Sequence, residues 1–185
     1  MSEIKKGNFS LNLGFLQVQA DISEDDRQCA WELYTEITTR LSLTGKRNDS
    51  ECKDFSGEVL VESLDSVHSF FREARGIMRK FPVGQLKKNK TKHLGVLIND
   101  LMVHVLRPFL EKWQAEFRHW WNHCDEKTKK LSPFEGQKCY IHYKEFIEDW
   151  RNVRLIMKEL QSEIVKAYKL VDVNQINKLL IEKKK

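Results

Sequence analysis

Apolar residues recur at alternating spacings of three and four along four stretches of this chain, which predicts long amphipathic helices. The clearest pattern keeps apolar residues at the a and d positions of four heptads: Phe146, Trp150, Val153, Met157, Leu160, Ile164, Ala167 and Val171. A second regular pattern comprises Leu60, Leu64, Val67, Phe71, Ala74, Met78 and Phe81. The predicted fold class is therefore all-α.

Start and stop signals give these helices their expected ends. Ser23 is an N-cap candidate, Pro82 stops the second pattern and Pro108 is expected to kink the third. Either Asp54 or Ser56 is able to cap the second helix. The first predicted helix is 24–43, and the second runs from Asp54 or Ser56 to 81. The third and fourth predicted helices are 91–123 and 140–171.

Short connections make successive helices antiparallel neighbours, so we expect an antiparallel up-down-up-down bundle of four long helices in a single domain, 1–185. The bundle itself is predicted for 23–171, followed by a basic tail, 172–185, with a short tail helix. Apolar and polar residues alternate from Asn8 to Ile22, so residues 1–22 fit a strand or an extended N-terminal arm. Because no second strand is evident to pair with it, we favour the arm.

Composition favours a cytoplasmic protein with no membrane contact. Charged residues make up 32% of the 185 residues and hydrophobic residues 41%, a balance typical of a chain with a sizeable core. Residues 1–7 lack the apolar core of a secretory signal, and the apolar stretch 94–110 is interrupted by charged and polar residues. We expect four free thiols, at Cys29, Cys52, Cys124 and Cys139, and a secreted protein with two disulfides stays open as an alternative.

Positive charge is concentrated around the end of the second helix. The net charge is only +5, but the stretch 72–92 carries eight basic residues against the single acid Glu73. With the tail lysines 183–185 at the same end, this stretch predicts a patch that contacts several phosphates. A solvated helical face with a lysine-rich loop is the alternative. The predicted nucleic-acid-binding residues are Arg72, Arg75, Arg79, Lys87, Lys88, Lys90 and Lys92.

A short motif near the end of the third helix suggests a second function. Arg118 is followed by His119 and, after four intervening residues, by His123. This spacing resembles the motif of HEPN-type ribonucleases, which are helical-bundle proteins. The resemblance implies that Arg118 stabilises the phosphorane charge, that His123 acts as acid or base on the 2′-hydroxyl, and that His119 is the polar residue of the motif. It covers only these residues and the helical class, and it implies metal-independent RNA cleavage.

The third helix is also rich in aromatic residues. Phe109, Trp113, Phe117 and Trp120 continue its buried face, whereas Trp121 points about 100° away from Trp120. The two adjacent tryptophans are therefore predicted interface residues, one of which contacts a protein partner or a second copy in a homodimer.

The sequence predicts no metal site and no cofactor. His123, Cys124, Cys139 and His142 come from one expected end of the bundle, but adjacent residues do not easily bind one tetrahedral ion together.

The segment 105–113 resembles a stretch of uncharacterised bacterial four-helix-bundle proteins, which favours a bacterial source and implies no activity.

These patterns favour a binding module over an enzyme. The sequence contains no glycine-rich phosphate loop, paired carboxylate site or nucleophile motif. We expect a non-catalytic helical-bundle module that docks onto a protein or nucleic-acid partner, RNA or DNA, with the basic patch as the candidate contact surface. The enzyme alternative is a HEPN-like ribonuclease.

Overall fold

A computed structural model describes residues 3–13, 22, 24–40, 43–80 and 94–172, and these are mostly helical with one small sheet. Its strands are β1 (Glu3–Lys6) and β2 (Phe9–Asn12), and its first helices are α1 (Glu24–Thr39), α2 (Leu60–Lys80) and α3 (Leu94–Leu101). A π-helical segment (Met102–Leu106) leads into α4 (Arg107–His123), and the one-turn helices α5 (Glu126–Lys129) and α6 (Pro133–Gly136) precede a 3₁₀ turn (Gln137–Cys139) and α7 (Tyr143–Tyr168).

The predicted N-terminal arm is wrong for residues 3–12, which form a β-hairpin. The strands pair antiparallel, with Ile4 opposite Leu11 and Lys6 opposite Phe9. The second strand was missed because Glu3–Lys6 contains a single apolar residue, Ile4, too few to show an alternating pattern. Ile4, Phe9 and Leu11 are nevertheless buried, since the hairpin lies on the helices. Residues 14–21 lie outside the described ranges.

The predicted core positions of α7 are confirmed from Phe146 to Ile164, which are all buried, while Val171 lies beyond the helix and is exposed. In α2 the period of seven is kept, but one of the two apolar rows differs from the prediction. Phe70 and Ile77 are buried in place of the predicted Phe71 and Met78, which are partly buried at the edge of the core. Residues three and four positions after a buried one lie on either side of it, and the packing of the neighbouring helices decides which of them is enclosed.

The predicted third helix is interrupted just before Pro108. The backbone N–H of Arg107 donates to the carbonyl of Met102, five residues back, which is the π-helical spacing. Pro108 has no N–H to offer the carbonyl of His104, so the regular ladder is interrupted there. Pro108 itself lies in the first turn of α4, where no N–H is needed.

Each of the long helices α1, α2, α4 and α7 packs against at least two other helices. α1 contacts α2 and α7, α2 contacts α3 and α4, and α4 contacts α7. Aromatic rings fill the centre, where Phe109 stacks on Trp150 at 5.1 Å and Trp113 stacks on Phe146 at 4.9 Å between ring centroids.

No helix in the described ranges has both the length and the apolar character to cross a membrane. The predicted tail helix, within 173–185, falls outside those ranges.

The start of α2 depends on a residue far away in the chain. The Gln137 side chain accepts a hydrogen bond from the Leu60 amide at 2.8 Å and donates one to the Glu58 carbonyl at 2.7 Å. The predicted caps Asp54 and Ser56 instead bond to one another in the preceding loop, where the Ser56 hydroxyl donates to Asp54 at 2.6 Å. Helix α2 therefore begins later than predicted.

The loop before α2 is held by a buried arginine. Arg154 of α7 is fully buried, and its guanidinium forms an ion pair with Glu58. It also lies over the ring of Phe55 at 4.6 Å and over that of Trp150 at 5.0 Å. Charge pairing and aromatic stacking together offset the cost of burying this charge.

Candidate functional site

Three of the predicted nucleic-acid-binding residues lie on α2, and their role in binding stays a prediction. Arg72, Arg75 and Arg79 are all exposed, at the spacing that places them along one side of the helix. Arg72 is paired with Glu73 at 3.1 Å, and the Arg75 guanidinium lies 5.3 Å from the ring of Phe71. The other predicted members, Lys87, Lys88, Lys90 and Lys92, lie outside the described residues.

A groove of about 560 Å³ separates this face from α4. We call it the α2–α4 groove. Its basic lining comes from both helices, since Arg75 lies on one side and Arg107 and Arg118 on the other. Within the described ranges, Arg75 and Arg107 form no ion pair. The lining residues are His68, Phe71, Arg75, Arg107, Leu110, Glu111, Gln114, Ala115 and Arg118.

Sequence reasoning missed the contribution of α4 to this groove. Arg107 and Arg118 lie in a stretch whose basic residues alternate with Glu111 and Glu116, so no run of positive charge marks them. The only signal was their spacing from Glu111 and Gln114, which repeats by three or four and predicts one solvated face. Only the packing of α2 against α4 brings these arginines opposite Arg75.

Arg118 contacts α2 directly. Its guanidinium forms an ion pair with Asp65, and the two side chains keep 37% and 51% of their exposure. Pairs this exposed contribute at most about 1 kcal/mol to stability, because water and salt screen them. The pair therefore orients Arg118 at the groove without removing it from solvent.

The structure does not bring Arg118 and His123 together within one chain. They are five positions apart on α4, which turns their side chains about 140° from each other. His123 instead lies against His119, with 4.4 Å between the ring centroids, and its Nδ1 is 2.8 Å from the His119 carbonyl oxygen. The ribonuclease interpretation, in which these three residues act at one centre, stays a prediction.

Both adjacent tryptophans are half-buried against the chain's own core. Trp120 packs on Tyr140 at 5.0 Å, and Trp121 packs on Phe117 at 6.2 Å between centroids. Burial and the nearby Glu116 carboxylate raise the pKa of the Tyr140 phenol, so it stays protonated. The segment 124–142 thus supplies contacts for which we had predicted a partner, and a homodimer through these residues stays a prediction.

A charge network centred on the buried Asp149 carboxylate joins α4 to α7. Asp149 accepts hydrogen bonds from the Trp113 indole at 3.0 Å and from Lys112 at 2.7 Å, and Lys112 also contacts Glu145 at 2.7 Å. Burial by itself lowers the pKa of Lys112, but the hydrogen bonds to Asp149 and Glu145 outweigh it and raise the pKa. The raised pKa favours the charged form of Lys112, which ties α4 to α7 through the two carboxylates.

The cysteines do not form a chemical site. All four are free thiols, and burial raises the pKa of Cys29 and of Cys52, which keeps them protonated and unreactive. Among the residues that the structure describes, no group of three or more His, Cys, Asp or Glu side chains is arranged to hold a metal ion.

Comparison with known proteins adds no family to this description. No protein-family model, curated protein or solved structure matches the chain. The class defined by the fold is a mostly helical protein with an N-terminal β-hairpin.

Proposed function

We propose that this protein is a non-catalytic helical-bundle module that binds a nucleic-acid backbone in the α2–α4 groove. The observation that carries the proposal is the position of Arg75, Arg107 and Arg118 around one groove. Two further arginines, Arg72 and Arg79, extend the same face of α2 on either side of Arg75.

Arginine at this density is suited to the phosphates of a nucleic-acid backbone. The guanidinium group presents a planar set of donors that matches phosphate oxygens in pairs. The chain then continues from α2 into the lysine-rich stretch 87–92, so the positive charge extends along the sequence beyond the groove. A double-stranded or structured nucleic acid offers closely spaced phosphates to such a surface.

The groove is suited to backbone contact and not to reading bases. The aromatic ring in its lining, Phe71, is half-buried beneath Arg75, so it offers no open face for stacking. Binding is therefore expected to be independent of sequence and sensitive to salt.

The fold and location belong to the same proposal. We propose that α1, α2, the α3–α4 pair and α7 form a four-helix bundle. The contacts of α1 with α2 and α7, and of α4 with the same two helices, support this arrangement. The four free thiols are typical of a protein that works in the reducing cytoplasm.

The test is a binding titration with labelled double-stranded RNA and double-stranded DNA by fluorescence anisotropy, repeated over a range of salt. We expect the double variant Arg75→Glu/Arg107→Glu to weaken binding by about tenfold or more at low salt. Loss of two phosphate contacts should also reduce the slope of log affinity against log salt by about 1.8.

The matched control is Lys130→Glu/Lys144→Glu, which changes the net charge equally at exposed residues outside the groove. This variant should keep most of the wild-type affinity. Equal losses in the two double variants would show a general charge effect and reject the groove. No binding by the wild-type protein would reject the nucleic-acid function and favour a protein partner.

The same samples test the ribonuclease alternative. Structured RNA is incubated with protein in EDTA and examined on a gel. Under the binding-module proposal, the RNA stays intact with both wild-type protein and His123→Ala. Cleavage that is lost in His123→Ala would overturn the non-catalytic proposal.

A further inference from the structure

Two histidines lie one helical turn apart at the C-terminal end of α4. His119 and His123 are both exposed, their ring centroids are 4.4 Å apart and their ring planes differ by 32°. His123 is the last residue of the helix. The unpaired backbone carbonyls of a helix C-terminus carry partial negative charge, which favours a bound cation.

One hydrogen bond prepares His123 to act as a ligand. Its Nδ1 lies 2.8 Å from the carbonyl oxygen of His119, and a carbonyl only accepts hydrogen bonds. Nδ1 therefore donates to that oxygen, and the lone pair of a neutral His123 ring is on Nε2. Histidines that bind metals commonly hold their other ring N–H in this way, because the bond fixes the ring orientation.

We propose that His119 and His123 chelate a divalent transition-metal ion through their Nε2 atoms. Two histidines at positions i and i+4 of a helix are able to hold one ion together. Metal–nitrogen bonds of about 2.0–2.1 Å require the two nitrogens to be about 3 Å apart, a separation compatible with ring centroids 4.4 Å from each other. Imidazole ligands favour zinc, copper and nickel over magnesium or calcium.

Within the described residues these two histidines are the only ligands in position, so the remaining coordination positions belong to water or to an added ligand. This follows because the described residues contain no group of three or more metal-binding side chains in suitable positions. The site is therefore open and exchangeable, unlike a closed structural zinc site. It is also separate from the α2–α4 groove, since Arg118 is turned about 140° from His123.

The test is calorimetric titration of the full-length, EDTA-treated protein with Ni²⁺. The exposed thiol of Cys139 is a competing ligand, so every protein carries Cys139→Ser. The variants are His119→Ala and His123→Ala. The matched control is His68→Ala, which removes an exposed histidine of α2 whose neighbours four residues away are Leu64 and Arg72.

We expect one Ni²⁺ per chain in the parent and in His68→Ala. Each of the other two variants should bind more than about tenfold more weakly, because chelation by two rings becomes attachment by one. Their unfolding curves without metal should match the parent, since both side chains are exposed. Parent protein that binds no Ni²⁺, or equal affinity in all four proteins, would overturn the proposal.

Discussion

Replacement of Arg154 by methionine should destabilise the whole fold. Methionine keeps much of the side chain's length and its contacts with Phe55 and Trp150, but it removes the charge that pairs with Glu58. The carboxylate of Glu58 then remains with 17% of its exposure and without its cation.

The expected magnitude follows from that burial. Removing one partner of a buried ion pair costs about 3–5 kcal/mol, because the other charge is left uncompensated. Glu58 retains some contact with water, so we expect the lower end, about 3 kcal/mol. For a chain of this length that corresponds to a fall of about 6–12 °C in the unfolding midpoint.

The assay is urea and thermal unfolding followed by circular dichroism of the helices. The matched control is Arg151→Ala, one turn earlier on α7, whose guanidinium donates to the Glu51 carbonyl at 2.9 Å from a partly exposed position. This control should lose no more than about 1 kcal/mol.

A double-mutant cycle with Glu58→Gln separates the ion pair from packing. Once Glu58 is neutral, Arg154→Met should cost less than it does in the wild-type protein, because no carboxylate is left unpaired. If Arg154→Met lies within about 0.5 kcal/mol of wild type, the buried pair does not hold the loop and the reasoning is refuted.

Two further predictions concern turns. Gly7→Ala should destabilise the protein more than Gly57→Ala in urea unfolding. Both glycines have a positive φ, so both substitutions strain the backbone. A Cβ at Gly7 also comes within 2.6 Å of the Asn152 amide, whereas a Cβ at Gly57 meets nothing within 4 Å. Equal losses would show that only backbone strain matters. Hydrogen bonds from Ser56 and Lys46 lower the pKa of Asp54 in the folded protein. The ionised Asp54 therefore contributes its full stabilisation above its ordinary pKa of 3.8, and this stabilisation is lost as the pH falls below that value. The unfolding midpoint of Asp54→Asn, followed from pH 5 downwards, should therefore fall less steeply than that of wild type, and parallel curves would contradict this linkage.

The long helices could be predicted because their apolar faces repeat many times. Residues 146–164 of α7 are buried at each predicted position, since one straight helix against one core imposes a constant period. In α2 the period of seven is also kept, but Phe70 and Ile77 are buried in place of Phe71 and Met78, because the packing of neighbouring helices decides which of two flanking positions is enclosed.

The hairpin and the helix starts were not predictable in the same way. A strand as short as Glu3–Lys6 contributes one buried residue, Ile4, which is no pattern. The cap of α2 comes from Gln137, 77 residues along the chain from Leu60, so no local signal indicates it. Local caps at Asp54 and Ser56 were reasonable expectations, and the loop anchored by Arg154 uses these residues instead.

For the candidate sites, the sequence by itself determined which side chains share a helical face. It placed Arg72, Arg75 and Arg79 on one side of α2, because helical spacing alone decides that. Only the tertiary structure decided that Arg107 and Arg118 lie opposite Arg75. The physical reason is that the spacing of residues along a helix fixes which side of that helix each side chain lies on. Which side chains of two helices come together depends instead on how the buried faces of the helices pack.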